Sequence, residues 1–160
     1  MDMKTIQKSI EVERPVRTVY NQWTQFEEFP HFMEGVNKVR QIDEQRLHWE
    51  TEIGLVEREF EAEITEQKPD QLIAWRALGD TKHVGRVTFD ALGDTKTRVN
   101  LEMAHAPSNF VEKAGDVLGI VGHRIEGDLK RFKAMIEERG TETGGWRGEI
   151  DESGPTTNLK

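Results

Sequence analysis

Apolar and polar residues alternate along 3–13. Ile6, Ile10 and Val12 stand against Gln7, Ser9 and Glu11, a period of two that predicts a half-buried strand. Pro15 suits the first turn of a helix. Val16, Val19, Tyr20 and Trp23 then recur at helical spacing, so a short amphipathic helix is expected over 15–23. Thr24-Gln25-Phe26-Glu27 matches a capping box and predicts a second short helix, stopped at Phe29-Pro30. Strand patterns follow near 35–43, 46–53, 56–66, 71–78, 82–92 and 95–105. Asp43-Glu44, Gly54-Leu55, Lys68-Pro69-Asp70, Gly79-Asp80 and Gly93-Asp94 punctuate them as turns. Connections this short belong to an antiparallel meander, not to parallel crossovers. The last pattern is helical, over 108–138. Phe110, Ala114, Val117, Leu118, Val121, Ile125, Leu129, Phe132 and Ile136 form its apolar face, opposite Glu112, Asp116, Glu126, Lys130 and Lys133.

These elements predict an α+β helix-grip fold: a curved antiparallel sheet of about seven strands wrapped around one long C-terminal helix, with two short helices after strand 1. A single domain over 1–140 is expected. Residues 141–160 are polar, Gly-rich and aperiodic and read as a flexible tail, with Trp146 the one candidate anchor. A sheet filled on its concave side by one helix tends to leave a cavity between the two, and function is expected there.

Strand side chains alternate between faces, so parity sorts them. Leu47, Trp49, Thr51, Ile53, Val56, Arg58, Phe60, Ala62, Ile64, Ile73, Trp75, Ala77, His83, Gly85, Val87, Phe89, Ala91, Thr97, Val99, Leu101, Met103 and His105 are expected to face the helix. The other face is rich in Glu50, Glu52, Glu57, Glu59, Glu61 and Glu63 and reads as solvated. On the helix, Gly115, Gly119 and Gly122 lie on one flank of the apolar stripe. Each costs about 1 kcal/mol relative to Ala there, so the helix surface must be shallow, for close packing or for a ligand. The predicted cavity lining is Trp49, Arg58, Phe60, Trp75, His83, Val87, Met103, His105, Leu118, Gly119 and Gly122.

Polar residues on the apolar face need a partner, a ligand or an exit to water. Lys8 and Arg58 read as solvated heads at the sheet margin, with a cavity cation as the alternative for Arg58. The loop at Gly93-Asp94-Thr95 sets a register that pairs Phe89 with Val99, Val87 with Leu101 and Gly85 with Met103. The same register sets His83 opposite His105. Arg58, His83 and His105 are the candidates for any proton transfer or enolate stabilisation.

Charge narrows the partners. Thirty acidic residues against 22 basic ones give a net −8, so nucleic acid is not expected. No apolar run is long enough for membrane insertion, no secretory signal is visible, and there is no cysteine; a cytoplasmic protein is expected. The five histidines lack helix-borne zinc spacing, and no nucleotide loop or nucleophile elbow occurs, so neither metal nor cofactor is expected. Asp116 and Asp128 read as solvated sides of the helix.

The chain resembles the START-related superfamily, and within it the polyketide cyclase/dehydrase-like bacterial proteins. The resemblance rests on Ile10-Glu11-Val12-Glu13-Arg14-Pro15 with Val19 and Trp23, and on Phe26-Glu27-Glu28-Phe29-Pro30-His31-Phe32-Met33. It continues through Ile64-Thr65-Glu66-Gln67-Lys68-Pro69-Asp70 with Ile73-Ala74-Trp75, the stretch 85–89, Thr97-Arg98-Val99 and Gly127-Asp128-Leu129-Lys130-Arg131-Phe132-Lys133. It implies a small hydrophobic ligand, whether lipid, isoprenoid or aromatic and polyketide-like. Binding without catalysis is the first expectation. A cyclase/dehydrase-type enzyme is the second, and a stress-related interaction protein with a vestigial cavity the third.

Overall fold

The protein is described as a computed structural model, covering residues 4–53, 56–78, 83–105, 117–151 and 154–156. Strand β1 (Lys4–Val12) leads into helix α1 (Val16–Trp23) and a 3-10 helix (Phe26–His31). Strands β2 (Val36–Gln41), β3 (Arg46–Ile53), β4 (Val56–Lys68), β5 (Leu72–Ala77), β6 (His83–Gly93) and β7 (Lys96–His105) follow. Helix α2 (Val117–Arg139), β8 (Glu149–Asp151) and β9 (Gly154–Thr156) complete the order. The pairing is antiparallel throughout, in the order β1-β7-β6-β5-β4-β3-β2, with β8 added to β4 and β9 to β8. The helix-grip expectation holds, and the sheet gains strands beyond the seven expected.

The register of the last hairpin follows from its turn and its apolar pairs. Phe89 pairs with Val99, Val87 with Leu101, Gly85 with Met103 and His83 with His105; a bulge between Ala91 and Gly93 absorbs the turn. A second bulge, between Ile64 and Glu66, reverses parity in β4. It turns Gln67 into the core, 1% exposed, where its amide donates to the Tyr20 hydroxyl at 3.0 Å. Burial pushes the Tyr20 phenol up to about 12, so it stays neutral.

The core gathers on one side of the sheet. Ile125, Leu129, Phe132 and Ile136 recur at helical spacing on α2 and are all buried. Phe132, 0% exposed, meets Trp23 at 4.8 Å and Phe32 at 5.1 Å between ring centroids, in tilted, edge-on arrangements. Trp23 also touches Phe29 and Phe89, so α1, the 3-10 helix, β6 and α2 share one aromatic centre. Helix α2 ends where Gly140 takes φ +83° and donates its N–H to Ile136 O at 2.8 Å, a left-handed cap that suits glycine.

Three expectations are corrected. The capping box at Thr24 does not form. The Thr24 hydroxyl donates back to Asn21 O and accepts the Trp146 N–H, so the 3-10 helix starts after Gln25 without a side-chain cap. Asp128 is buried, not solvated. It accepts the Glu34 N–H at 2.9 Å and pairs with Arg131, whose Nε donates to Phe32 O, so α2 holds the loop before β2. Burial raises the Asp128 carboxyl above its ordinary value, against the opposing pull of the Glu34 amide and Arg131.

The third correction concerns the tail. Residues 141–151 pack on the domain: the Thr143 N–H and hydroxyl bond to Gln22, Arg147 bridges Asn21 and Asp70, and Trp146 lies against the core. Ile150, 1% exposed, sits opposite Gln67 in the sheet. Polar composition hid this, because the docking uses two apolar residues, Trp146 and Ile150, and a set of specific hydrogen bonds.

Two outcomes are expected. Ile150→Ala should lower the unfolding free energy by about 2–4 kcal/mol in urea titration, as for a filled core site; a loss near zero would return the tail to solvent. For Asp128 the folded pKa is raised, so its contribution is present below the ordinary carboxylate range and lost as pH rises through the folded value. Asp128→Asn keeps the acceptor for the Glu34 amide. Its stability relative to wild type should therefore improve from acid toward neutral pH, and a constant or reversed difference would refute the assignment.

Candidate functional site

The concave face has two ends of different character. Around Val87, Phe89, Val99 and Leu101 it is sealed by α1 and the aromatic centre, and Val87 is 0% exposed. Val87, predicted in the cavity lining, thus stands in the sealed core. Toward the other end Trp49, Phe60, Trp75, His83 and Met103 are only partly buried. Strand pairing sets them in two groups, with the buried Leu47–Ala62 rung between. Trp49 is opposite Phe60 across β3 and β4, Trp75 opposite Gly85 across β5 and β6, and Gly85 opposite Met103 across β6 and β7.

The aromatic pairs have defined geometry. Trp49 and Phe60 lie 3° from parallel at 6.1 Å, and Trp49 also leans on Phe29 at 5.6 Å. The Trp75 indole lies over Gly85. A Cβ there would come within 2.2 Å of the ring, so only glycine leaves it room. The Trp75 Nε1–H donates to His83 Nε2 at 3.1 Å. An indole nitrogen can only donate, so the accepting Nε2 carries no proton and His83 is a neutral imidazole in this arrangement. The Trp49 Nε1–H is buried and has no hydrogen-bond partner among the described residues.

The other predicted site residues divide. Arg58 is exposed at the margin, opposite Thr51, as its solvated reading expects. His105 is placed by register opposite His83, and its side chain lies outside the described part. So do the side chain of Leu118 and the surroundings of Gly119, while Gly115 lies outside the described residues altogether. Gly122 is buried against β1: a Cβ there would meet Lys8 and Ile6 at 3.6 and 3.7 Å. It borders an open cleft of about 380 Å³ that also involves Thr5, Gln7, His123 and Glu126, with Lys8 paired to Glu126 at 3.5 Å. Ile6, which Gly122 faces, pairs with Met103 across β1 and β7 and is the described link from this cleft to the partly buried group.

On the outer face His48, Glu50 and Glu59 bring possible ligand atoms within 4.8 Å of one another, the one such grouping among the described residues. They come from two paired strands, so a search for helix-borne spacing could not find them. Exposed carboxylates of this kind ordinarily stay hydrated. Sequence reasoning also missed Gly85 as the shelf under Trp75 and the orphan nitrogen of Trp49. Alternation places both residues on the concave face, but only the packing shows what each meets.

This is a helix-grip fold whose concave face is sealed in one part and half-covered in another. The family described as "Polyketide cyclase / dehydrase and lipid transport" matches residues 12–134, and the chain belongs to it. A Streptomyces lincolnensis protein, described as an uncharacterized 17.2 kDa protein of the melC2-rnhH intergenic region, is 51% identical over 149 residues. The match covers 92% of this chain and 99% of that protein. Among solved structures, the Zhui aromatase/cyclase from Streptomyces sp. R1128 matches with TM-score 0.76 at 16% identity, covering 90% of this chain and 99% of that one. A START superfamily protein from Mycobacterium smegmatis matches with TM-score 0.63 at 18% identity, covering 81% and 99%. At such identities these structures establish the shared fold. No helix among the described residues is long and apolar enough to cross a membrane.

Gly85→Ala tests the shelf. Its methyl group must displace the Trp75 ring, at a cost of about 1–3 kcal/mol for an overpacked site. The tryptophan fluorescence should shift with it. An unchanged melting temperature and spectrum would show that Trp75 does not rest on Gly85.

Proposed function

We propose that this protein binds a small hydrophobic molecule at the half-covered end of its concave face, between the sheet and α2. One observation carries the reading. Trp49, Phe60, Trp75 and Met103 share the concave face with fully buried residues yet remain only partly covered. Apolar surface left open inside a fold costs stability by exposure to water, and a ligand that covers it recovers that energy. Membership of a family described by cyclase, dehydrase and lipid-transport members supports the same reading. The predicted lining is kept for Trp49, Phe60, Trp75, His83 and Met103, with Arg58 at the margin.

A second reading is a cyclase/dehydrase-type enzyme. The observation in its favour is His83, held as a neutral imidazole by Trp75 and paired in register with His105. Its Nε2 lone pair is engaged by the Trp75 N–H and its Nδ1 carries the ring proton, so acting as a base requires Nε2 to give up that bond; once freed, it can accept a proton from a bound ketone, the first step of enolisation. Binding is common to both readings, and turnover separates them.

Native mass spectrometry of the purified protein, followed by solvent extraction, should reveal a co-purifying small molecule. Anilinonaphthalenesulfonate should bind saturably with a single site, and Phe60→Glu should abolish that binding while the protein still unfolds cooperatively. Absence of any bound molecule, together with probe binding indifferent to Phe60→Glu, would overturn the proposal.

A further inference from the structure

We infer that the ligand of this site carries a hydrogen-bond acceptor oxygen on a flat apolar body, and that Trp49 Nε1–H is the donor that anchors it. The inference rests on the proposed apolar site and specifies what occupies it.

The warrant is an unmet donor. Buried polar groups in folded proteins are nearly always hydrogen-bonded, and a buried donor without a partner costs roughly 1–3 kcal/mol. Trp49 Nε1 is buried with no partner among the described residues, while the comparable nitrogen of Trp75 is satisfied by His83. Both indoles belong to concave-face positions that are only partly buried, and the Trp75 donor is already used while that of Trp49 is open. Trp49 cannot swing away freely to reach water. Phe60 lies parallel to it on one side, and Phe29 packs against it at 5.6 Å. A donor fixed in apolar surroundings recognises an acceptor strongly, because water does not compete for it. An indole has no acceptor of its own, so the matching ligand atom must be an oxygen or nitrogen with a lone pair, not an N–H or O–H acting as donor. The near-parallel faces of Trp49 and Phe60 favour a planar partner that can lie offset against them.

A matched pair of probes isolates the acceptor. Fluorene and fluorenone share a flat tricyclic body and differ at one position, a methylene against a carbonyl. Each is titrated against anilinonaphthalenesulfonate displacement. Wild type should prefer fluorenone by roughly five- to tenfold, the range of one net hydrogen bond. Trp49→Phe should lose the preference, read as the ratio of the two affinities within that variant. Trp75→Phe, which removes the donor already committed to His83, should keep it. With 15N-labelled tryptophan, the Trp49 indole resonance of the wild-type protein should move downfield with fluorenone and not with fluorene. That readout decides the matter if Trp49→Phe also weakens fluorene. Equal affinity for the two probes, a preference that survives Trp49→Phe, or an unmoved indole resonance would overturn the inference while leaving the apolar site intact. Failure of both compounds to displace the dye would overturn the site reading itself.

Discussion

The structure depends on one contact, the seating of Phe132 against Trp23. A single-layer sheet has one face to bury and here has one long helix to bury it with. Phe132 lies midway along the described apolar stripe of α2, between Ile125 and Ile136. Trp23 ends α1 and brings Phe29, Phe32 and Phe89 to the same point. Once this centre forms, the helix has little freedom to slide. The Asp128–Arg131 group then ties it to the loop at Phe32 and Glu34.

Closing one end of the concave face in this way leaves the other end to weaker cover. The same sheet face is therefore fully buried at Val87 and only partly buried at Trp75 and Met103, the two neighbours of Gly85. On one side the side chains interdigitate and exclude water. On the other, Gly85 gives up its side chain so that Trp75 can lie flat, and the indoles of Trp49 and Trp75 present polar edges within an apolar wall. A wall of this kind discriminates by where its few polar atoms stand, because apolar contact alone distinguishes poorly among molecules of similar size. The C-terminal segment is fastened to the closed end: Ile150 pairs with Gln67 of β4, and Arg147 bonds Asn21 and Asp70.

Much of this was legible in the chain. Period-two alternation placed β1 and the concave residues Trp49, Phe60, Trp75 and Met103, and helical spacing placed Leu129, Phe132 and Ile136 on one face. These patterns are local consequences of backbone geometry. The turn at Gly93-Asp94 with its flanking apolar pairs was enough to set His83 opposite His105, because a one-residue slip would turn every buried side chain outward. What the sequence could not reveal involved partners distant along the chain. Thr24 fails as a cap because Trp146 claims its hydroxyl. Gln67 turns inward because a bulge reverses parity, and Ile150 is buried because β4 offers it an edge. Asp128 leaves water because the loop from the 3-10 helix closes over it. The sequence by itself thus determined the elements, their faces and the hairpin register, all governed by short-range periodicity. Which half of the concave face is sealed, which indole nitrogen is satisfied and which is not, were decided only by tertiary packing, since each depends on atoms brought together from remote parts of the chain.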